Sequence, residues 1–254
     1  TDCHLDHVLA CLSAGKAVFC EKPLDLDLAR LRSAEGHFGP DAPSLFVAFN
    51  RRFDRHVRAL KARIDSGAIG NLETLHVVNH DPESPPPGFI PGSGGLFKDY
   101  TIHDLDLAPW LLGERVVEIF AWASCLVDPE IGRLGDVDTA KLVLRTGSGR
   151  LCTLSNSRRT GYGYDQRIEA FGSKGMVKAD NVLESTVSVW GADGAAADRL
   201  QNFFLDRYAA AYRLEMDHFA DILSGKAAPA ITYADGVGAL ELAEAAAQSV
   251  RSGQ

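Results

Sequence analysis

The sequence predicts an α/β fold in which a doubly wound segment is followed by an α+β domain with an open, mainly antiparallel sheet. In residues 1–50, helical periodicity alternates with short apolar runs, which is typical of a parallel sheet covered by helices. In the rest of the chain, strand-like segments follow one another across short turns, which favours antiparallel pairing. We therefore assign residues 1–50 to one domain and residues 51–254 to a second.

Apolar spacing predicts the elements of the first domain. Apolar residues recur at helical intervals over residues 5–12, and Gly15 follows as the C-terminal cap. Residues 17–20 form a short apolar run that predicts a buried parallel strand. Asp25 is positioned to cap the next helix, and residues 45–49 predict a second strand.

The second domain opens with a helix that follows Asp54 and stops at Gly67. Strands are predicted at residues 72–78, 116–127, 139–144, 151–156, 167–171 and 186–190. Residues 146–149, with the sequence Thr-Gly-Ser-Gly, predict a hairpin between two of them. Residues 81–95 are rich in Pro and Gly and predict a long loop, of a length that is often functional.

The chain ends in two predicted helices. The second covers residues 235–250 and is rich in Ala, and Gly225 terminates the first. The apolar face of the first is expected to carry Tyr208, Tyr212, Met216, Phe219 and Leu223.

The composition argues against several classes of protein. The net charge is −8 and Lys and Arg form no cluster larger than a pair, which disfavours a nucleic-acid partner. No apolar run approaches the roughly 20 residues that span a bilayer, so we expect no membrane protein. The five cysteines form no CxxC pair and favour a reducing cytoplasm. Cys3, His4 and His7 lack a complete ligand set with zinc spacing, so no metal is expected.

Lys22 is the first candidate for chemistry. It follows the predicted strand at residues 17–20 directly, and open α/β sheets bind ligands at the carboxyl ends of their strands. An ammonium group there can donate a hydrogen bond to a substrate hydroxyl and stabilise negative charge that develops on its oxygen. A solvated loop lysine is the alternative interpretation.

Asp99 and His103 form the second candidate. If a helix begins here, they lie four residues apart on one face, with Asp106 further along it. A carboxylate beside an imidazole fixes its tautomer and raises its basicity, which suits a general base. An ordinary capped helix with a satisfied histidine is the alternative. Together with Lys22, the pair supplies what alcohol oxidation by hydride transfer requires.

Further polar residues are weaker candidates for a polyol pocket. The segment 156–159, with the sequence Asn-Ser-Arg-Arg, and the tyrosines Tyr162 and Tyr164 could line such a pocket or form a sheet edge or subunit contact. Arg51, Arg52 and His80 are also candidate substrate contacts.

These motifs resemble the glucose–fructose oxidoreductase, inositol dehydrogenase and rhizopine-catabolism (Gfo/Idh/MocA) family. The resemblance covers essentially the whole chain. Its most specific part is the Glu-Lys-Pro motif at residues 21–23 combined with the Asp-x-x-x-His-Asp-x-Asp motif at residues 99–106. Residues 49–54, 156–159 and 162–167 are most similar to inositol 2-dehydrogenases.

The resemblance implies a Rossmann domain followed by an α+β domain whose open sheet packs between subunits, as a homodimer or homotetramer. It implies an NAD-dependent enzyme that oxidises a ring hydroxyl of a cyclitol, myo-inositol, to a ketone. Lys22, Asp99 and His103 would be catalytic. Thr1, His4, Glu21 and Lys22 would lie beside the cofactor, and Arg52, His80, Asp106 and Tyr164 would contact the substrate.

The sequence departs from the family pattern in two respects. The Gly-rich phosphate loop is missing, and so is the acidic ribose-binding residue that separates NAD from NADP. We expect roughly 60–80 further residues, about two βαβ repeats, before Thr1. The alternative is a small α/β domain that never had the loop. The chain as given is expected to be poorly soluble, to bind NAD weakly or not at all, and to be inactive. Pro109 in the helix after His103 is the second departure.

Two other functions stay open at this point. One is another sugar dehydrogenase or reductase of the same family, because pocket loops decide the substrate. The other is a non-catalytic sugar-sensing protein on the same fold, because function follows the site and not the fold. Such a sensor would be expected to lack Lys22 or His103, and the sequence has both.

Overall fold

The computed structural model describes residues 1–39 and 42–253. Its helices are α1 (His4–Ser13), α2 (Leu28–Ser33), α3 (Arg55–Asp65), α4 (Ile90–Ser93), α5 (Ile102–Leu112), α6 (Pro129–Arg133), α7 (Phe204–Leu223) and α8 (Tyr233–Ser252). Its strands are β1 (Val18–Glu21), β2 (Leu45–Ala48), β3 (Leu72–His80), β4 (Val116–Ser124), β5 (Thr139–Thr146), β6 (Leu151–Ser157), β7 (Asp165–Gly172), β8 (Gly175–Ala179), β9 (Ser188–Gly191) and β10 (Gly194–Ala197).

The N-terminal part has the predicted α/β arrangement. Strands β1 and β2 pair in parallel, with Val18 opposite Leu45. Leu5 of α1 and Phe46 of β2 are buried in one apolar cluster, as the spacing predicts. The predicted cap of α2 is wrong by two residues. Asp27 accepts hydrogen bonds from the first turn of that helix, because the Asp25 carboxylate is engaged by the amide of Asp27 itself.

The second half contains a six-stranded sheet in the order β4-β5-β6-β3-β7-β8. Strands β3 and β6 are parallel, and the other neighbouring pairs in this sheet are antiparallel, so the mainly antiparallel prediction is confirmed. The strand predicted at residues 186–190 does not belong to this sheet. It forms a separate hairpin of β9 and β10, in which Trp190 is exposed. Strand β8 was not predicted.

Within the described residues, the helices pack on one face of the six-stranded sheet. Helix α8 packs on β4, α5 on β3 and α3 on β8. Ala243 and Ala246 of α8 are buried against apolar sheet residues such as Leu142 and Leu154. The small side chains let the helix backbone approach the sheet closely, which explains why the last helix is rich in alanine.

The inward face of helix α7 is confirmed in part, because Tyr208 is buried and Tyr212 and Phe219 pack against the same apolar cluster. Met216 and Leu223 are exposed, whereas Glu215 and Ile222 are buried. The helix packs beside the N-terminal strands, where Phe219 contacts Phe19 edge to face. Because the apolar cluster of the N-terminal part also contains residues from α7 and α8, the boundary between residues 50 and 51 stays a prediction. None of the helices among the described residues is long and apolar enough to cross a membrane.

Candidate active site

The turn after β1 carries Lys22 to the carboxyl end of the strand. The Lys22–Pro23 peptide bond is cis, and the carbonyl of Pro23 lies 2.7 Å from Nδ1 of His4, which ties α1 to the turn. Lys22 Nζ donates to the backbone carbonyl of Asp99 at 2.6 Å and lies 3.3 Å from Asp99 Oδ1. The chain thus brings Lys22 and Asp99 together across 77 residues of sequence.

Asp99 lies in a wide π-helical turn, Leu96–Thr101, that leads into α5. Gly94 and Gly95 precede this turn with φ of +85° and +79°, a conformation that favours glycine. The side chain of Asp136 accepts from the amide of Leu96 and holds the start of the turn. Asp99 is thereby presented to two cations, with Oδ1 toward Lys22 and Oδ2 3.5 Å from Nη2 of Arg158.

His103 lies in the first turn of α5 with its Nδ1 atom buried. That atom has no hydrogen-bond partner within the part of the chain that the structure describes. Burial holds the pKa of His103 well below its usual value, and the nearby cations Lys22 and Arg51 lower it further. The imidazole of His103 is therefore neutral at physiological pH. Pro109 lies within α5 but does not end that helix, which continues to Leu112.

The expectation that Asp99 raises the basicity of His103 is wrong. The Asp99 carboxylate faces Lys22 and Arg158 instead. The physical reason is that charged donors attract a carboxylate more strongly than a neutral imidazole does. Burial beside two cations lowers the pKa of His103, whereas a carboxylate contact would have raised it.

A buried network of hydrogen bonds surrounds Asp104, the residue that follows His103 in α5. The carboxylate of Asp104, which is fully buried, accepts from Arg51 at 2.8 Å, Asn79 at 3.0 Å and Asn156 at 2.7 Å. Arg51 Nη2 also lies 3.4 Å from the hydroxyl of Tyr164. Asp104 was not predicted as a site residue, although it lies inside the Asp-x-x-x-His-Asp-x-Asp motif.

Lys22, Asp99 and His103 line a cavity of about 560 Å³. Its polar lining includes Glu21, Lys22, Asp81, Asp99, His103, Arg158 and Tyr164. Its apolar lining includes Pro82, Pro85, Pro86, Phe89, Phe203 and Phe204, which come from the predicted long loop and from the start of α7. A mixed lining of this kind suits a small polar ligand with apolar ring faces.

Asp81 is a cavity residue that was not predicted. It directly follows β3, and burial raises its pKa to about 7, against the opposing effect of Arg51 and Arg158. Its place at the end of a strand and at the start of the long loop is the sequence signal that could have identified it. Among the described residues, no group of three or more His, Cys, Asp or Glu side chains is placed to hold a metal ion.

Three of the predicted substrate contacts lie outside this cavity. Arg52 forms a bidentate pair with Asp106 at 2.9 and 2.6 Å, and also contacts Asp235, in a separate depression. His80 lies on the sheet with Nε2 2.8 Å from Oγ of Ser155. A substrate-binding role for these residues stays a prediction that the geometry does not support. Of the four predicted cofactor neighbours, Glu21 and Lys22 line the cavity, whereas Thr1 and His4 do not.

Comparisons with known proteins all point to one family. A family model described as the GFO/IDH/MocA C-terminal domain matches residues 57–178. The chain is 48% identical over 251 residues to the myo-inositol 2-dehydrogenase of Thermotoga maritima, covering 98% of this chain and 75% of that protein. It is 44% identical over 250 residues to the inositol 2-dehydrogenase of Rhizobium meliloti, covering 98% of this chain and 76% of that one.

A solved structure extends the comparison to a ligand complex. The scyllo-inositol dehydrogenase of Lactobacillus casei, with bound NAD(H) and scyllo-inositol, superimposes with a TM-score of 0.89 at 26% identity. The match covers 99% of this chain and 76% of that chain. With the cavity, the Glu-Lys-Pro turn and these identities, the chain belongs to the GFO/IDH/MocA family, among relatives that are inositol 2-dehydrogenases.

Proposed function

We propose that this protein is an NAD-dependent dehydrogenase that oxidises a ring hydroxyl of a cyclitol, converting myo-inositol to 2-keto-inositol. The observation that carries the proposal is the convergence of Lys22, Asp99 and His103 on one cavity. The names of the relatives at 44% and 48% identity support the substrate class.

Lys22 has the task of orienting and polarising the reacting hydroxyl. Its ammonium is held by the carbonyl and the carboxylate of Asp99, and part of it faces the cavity. An ammonium has three donors, so a substrate oxygen can receive one while Asp99 keeps the others. The ammonium then stabilises the negative charge that develops on that oxygen.

His103 has the task of taking the hydroxyl proton. Its depressed pKa keeps the imidazole neutral and able to accept a proton. Deprotonation becomes favourable only when the reacting oxygen is polarised by Lys22, because a free alcohol is far less acidic than an imidazolium. The two residues therefore act on the same oxygen, and neither is sufficient alone.

The residues around the Glu-Lys-Pro turn fit a nicotinamide. The cavity opens at the carboxyl end of β1, beside Glu21 and Lys22, and His103 also lines it. A nicotinamide bound there would supply the hydride acceptor for the carbinol carbon. We assign Glu21 and Lys22 to its immediate surroundings, and we propose Thr1 and His4 as outer contacts. The bound NAD(H) of the Lactobacillus casei relative supports NAD over NADP.

Tyr164 and Asp81 are the proposed contacts for the other hydroxyl groups. Both line the cavity, and Tyr164 is held by Arg51. A cyclitol presents donors and acceptors around its whole ring, so a pocket with a carboxyl group and a phenol can satisfy several of them at once.

The proposal is tested with a substrate panel. The full-length protein is incubated with NAD and one of myo-inositol, scyllo-inositol, glucose or an open-chain polyol, and NADH absorbance is followed. We expect the highest kcat/KM with a cyclitol. Activity on glucose with none on any cyclitol would move the protein to the sugar-dehydrogenase alternative, and binding of a sugar without turnover would support the sensor alternative.

We also propose that the protein forms a homodimer or homotetramer through the face of the six-stranded sheet that the described helices leave uncovered. The strand register places Trp122, Val143, Leu151, Phe171 and Met176 on that face, and each is at least 42% exposed. Exposed apolar side chains on an uncovered sheet face are typical of an interface. The five free cysteines support a reducing compartment, and we propose the cytoplasm.

A further inference from the structure

Arg158 is the largest of the fully buried side chains, and its guanidinium is poorly satisfied. It follows β6, where its amide donates to the carbonyl of Asp138 at 2.9 Å. Its side chain is 2% exposed, and Nε and Nη2 lack a hydrogen-bond partner among the described residues. The guanidinium lies 5.6 Å from the ring centroid of Tyr100. A charge that is buried in this way is costly unless a counterion is close.

The other buried arginines have close counterions. Arg51 donates to Asp104 at 2.8 Å, and Arg207 donates to Asp54 at 2.5 Å. Among the described residues, the carboxylate within ion-pair distance of Arg158 is that of Asp99, with Nη2 3.5 Å from Oδ2. This contact is longer than a normal hydrogen bond, because Asp99 is drawn toward Lys22 at the same time. One carboxylate therefore serves two cations.

This sharing has a consequence for the geometry of Lys22. The guanidinium of arginine stays charged at every working pH, so its attraction for Oδ2 is permanent. With Oδ2 turned toward Arg158, Oδ1 is the oxygen left to face Lys22. The backbone of Asp99 holds Lys22 as well, at 2.6 Å, so the ammonium is fixed from two directions. We propose that Arg158 is a positioning residue, which fixes the Asp99 carboxylate and, through it, aims the Lys22 ammonium at the reacting hydroxyl.

This inference rests on the proposed function, since it concerns the residue that polarises the hydroxyl. It predicts that Arg158 affects kcat more strongly than KM. A misdirected ammonium still attracts a polyol, but it stabilises the developing charge less well. Replacement of the Arg158 guanidinium should also lower kcat by a smaller factor in a variant that lacks the Asp99 carboxylate.

The experiment is a double-mutant cycle in the full-length protein. Arg158→Met is expected to lower kcat by about 10- to 100-fold with less than a fivefold change in KM, as for loss of a charged contact. Arg158→Lys should recover much of the lost kcat, because it keeps the charge. Arg159→Met is the matched control. Arg159 is exposed, lies outside the cavity, and donates to the carbonyl of Val127 at 3.3 Å.

The cycle partner is Asp99→Asn. If Arg158 acts through Asp99, then Arg158→Met in the Asp99→Asn background should cost less than threefold in kcat, whereas a purely structural role would give additive losses. Additive losses would overturn the proposal, and so would an Arg158→Met variant that behaves like Arg159→Met.

The wild type, the Arg158→Met and Asp99→Asn variants and the double variant also give a readout that does not depend on activity, which is the melting temperature. Asp99→Asn removes the carboxylate that lies within ion-pair distance of Arg158 and should lower Tm, and adding Arg158→Met should lower Tm no further or raise it. If the wild-type protein turns over no cyclitol, the proposed function fails, and this Tm cycle still tests the pairing of Arg158 with Asp99. Additive decreases in Tm would then overturn the inference.

Discussion

Lys22 and Asp99 meet through two contacts, one to the backbone carbonyl at 2.6 Å and one to the carboxylate at 3.3 Å. The double contact joins the turn after β1 to the segment that leads into α5. The ammonium is therefore oriented by residues of the second half of the chain, although it is carried by the first.

We expect Lys22→Met to lower kcat/KM for a cyclitol by about 10²- to 10³-fold, which is the typical effect of losing one donor to a developing oxyanion. The fold should be unaffected, since the methionine stem fills the same space. Steady-state assays check the rate, and circular dichroism checks the fold. Lys16→Met is the control, because Lys16 is exposed in the turn after α1. Equal activity of the two variants would contradict the assigned role.

His103→Ala should lower kcat by about 10²- to 10⁴-fold, the usual contribution of a general base. The loss should be partly reversed by added imidazole, which can enter the space left by the side chain. The measurement is the rate at increasing imidazole concentration. A loss of activity that imidazole leaves unchanged, in a protein with an unaltered melting temperature, would argue for a packing role of the ring.

His103 should also make the protein sensitive to acid. Its pKa in the folded protein lies well below the unfolded value, so the unfolded chain binds the proton first. Its contribution to stability is fully present above about pH 6.5 and is lost as pH falls through the lower folded value. His103→Gln should therefore flatten part of the decline in Tm below pH 6.5, compared with the wild type.

Asp81 should make the folded protein less stable as pH rises, which is the opposite pH dependence to that of His103. Burial raises its pKa to about 7, so the folded protein retains a proton that the unfolded chain has lost. The contribution of Asp81 to stability should fall as pH rises between about 4 and 7, by no more than about 4 kcal/mol. Asp81→Asn should remove that slope and become more stable relative to wild type as the pH increases. Melting curves at pH 5 and pH 8 provide the comparison.

Asp104→Asn is expected to destabilise the protein by about 3–5 kcal/mol, because it leaves Arg51 buried without its counterion. Urea denaturation measures the change in free energy of unfolding. The matched control is Glu130→Gln, which removes a partly exposed partner of Arg133 and should change the stability little. Similar urea midpoints for the two variants would mean that the Asp104 network contributes less to the free energy of unfolding than its burial indicates.

Association is tested on the uncovered sheet face. Trp122→Arg should convert the oligomer to a monomer in sedimentation velocity, because it introduces a charge into an apolar interface. Trp122 is 68% exposed in the isolated chain. Met216→Arg on the outer face of α7 is the control and should leave the oligomer intact. A wild-type protein that sediments as a monomer at micromolar concentration would refute the proposed interface.

The sequence by itself determined the local elements and the candidates for chemistry. Apolar spacing was sufficient for α1, β1, β2, α3 and most strands of the sheet, because helical and strand periods follow from local backbone geometry. Strand β1 followed by Glu-Lys-Pro was enough to bring Lys22 to a strand end. The family motif pointed to Asp99 and His103, which line the same cavity as Lys22.

Only the tertiary structure decided which charges pair. Asp99 faces Lys22 and Arg158, and not the histidine four residues away. Arg52 and Asp106 bind each other in a separate depression. The physical reason is that ion pairs form between side chains from distant segments, whose approach depends on how sheet and helices pack. Local spacing reports which residues share a face, and long-range packing determines which opposite charges reach that face.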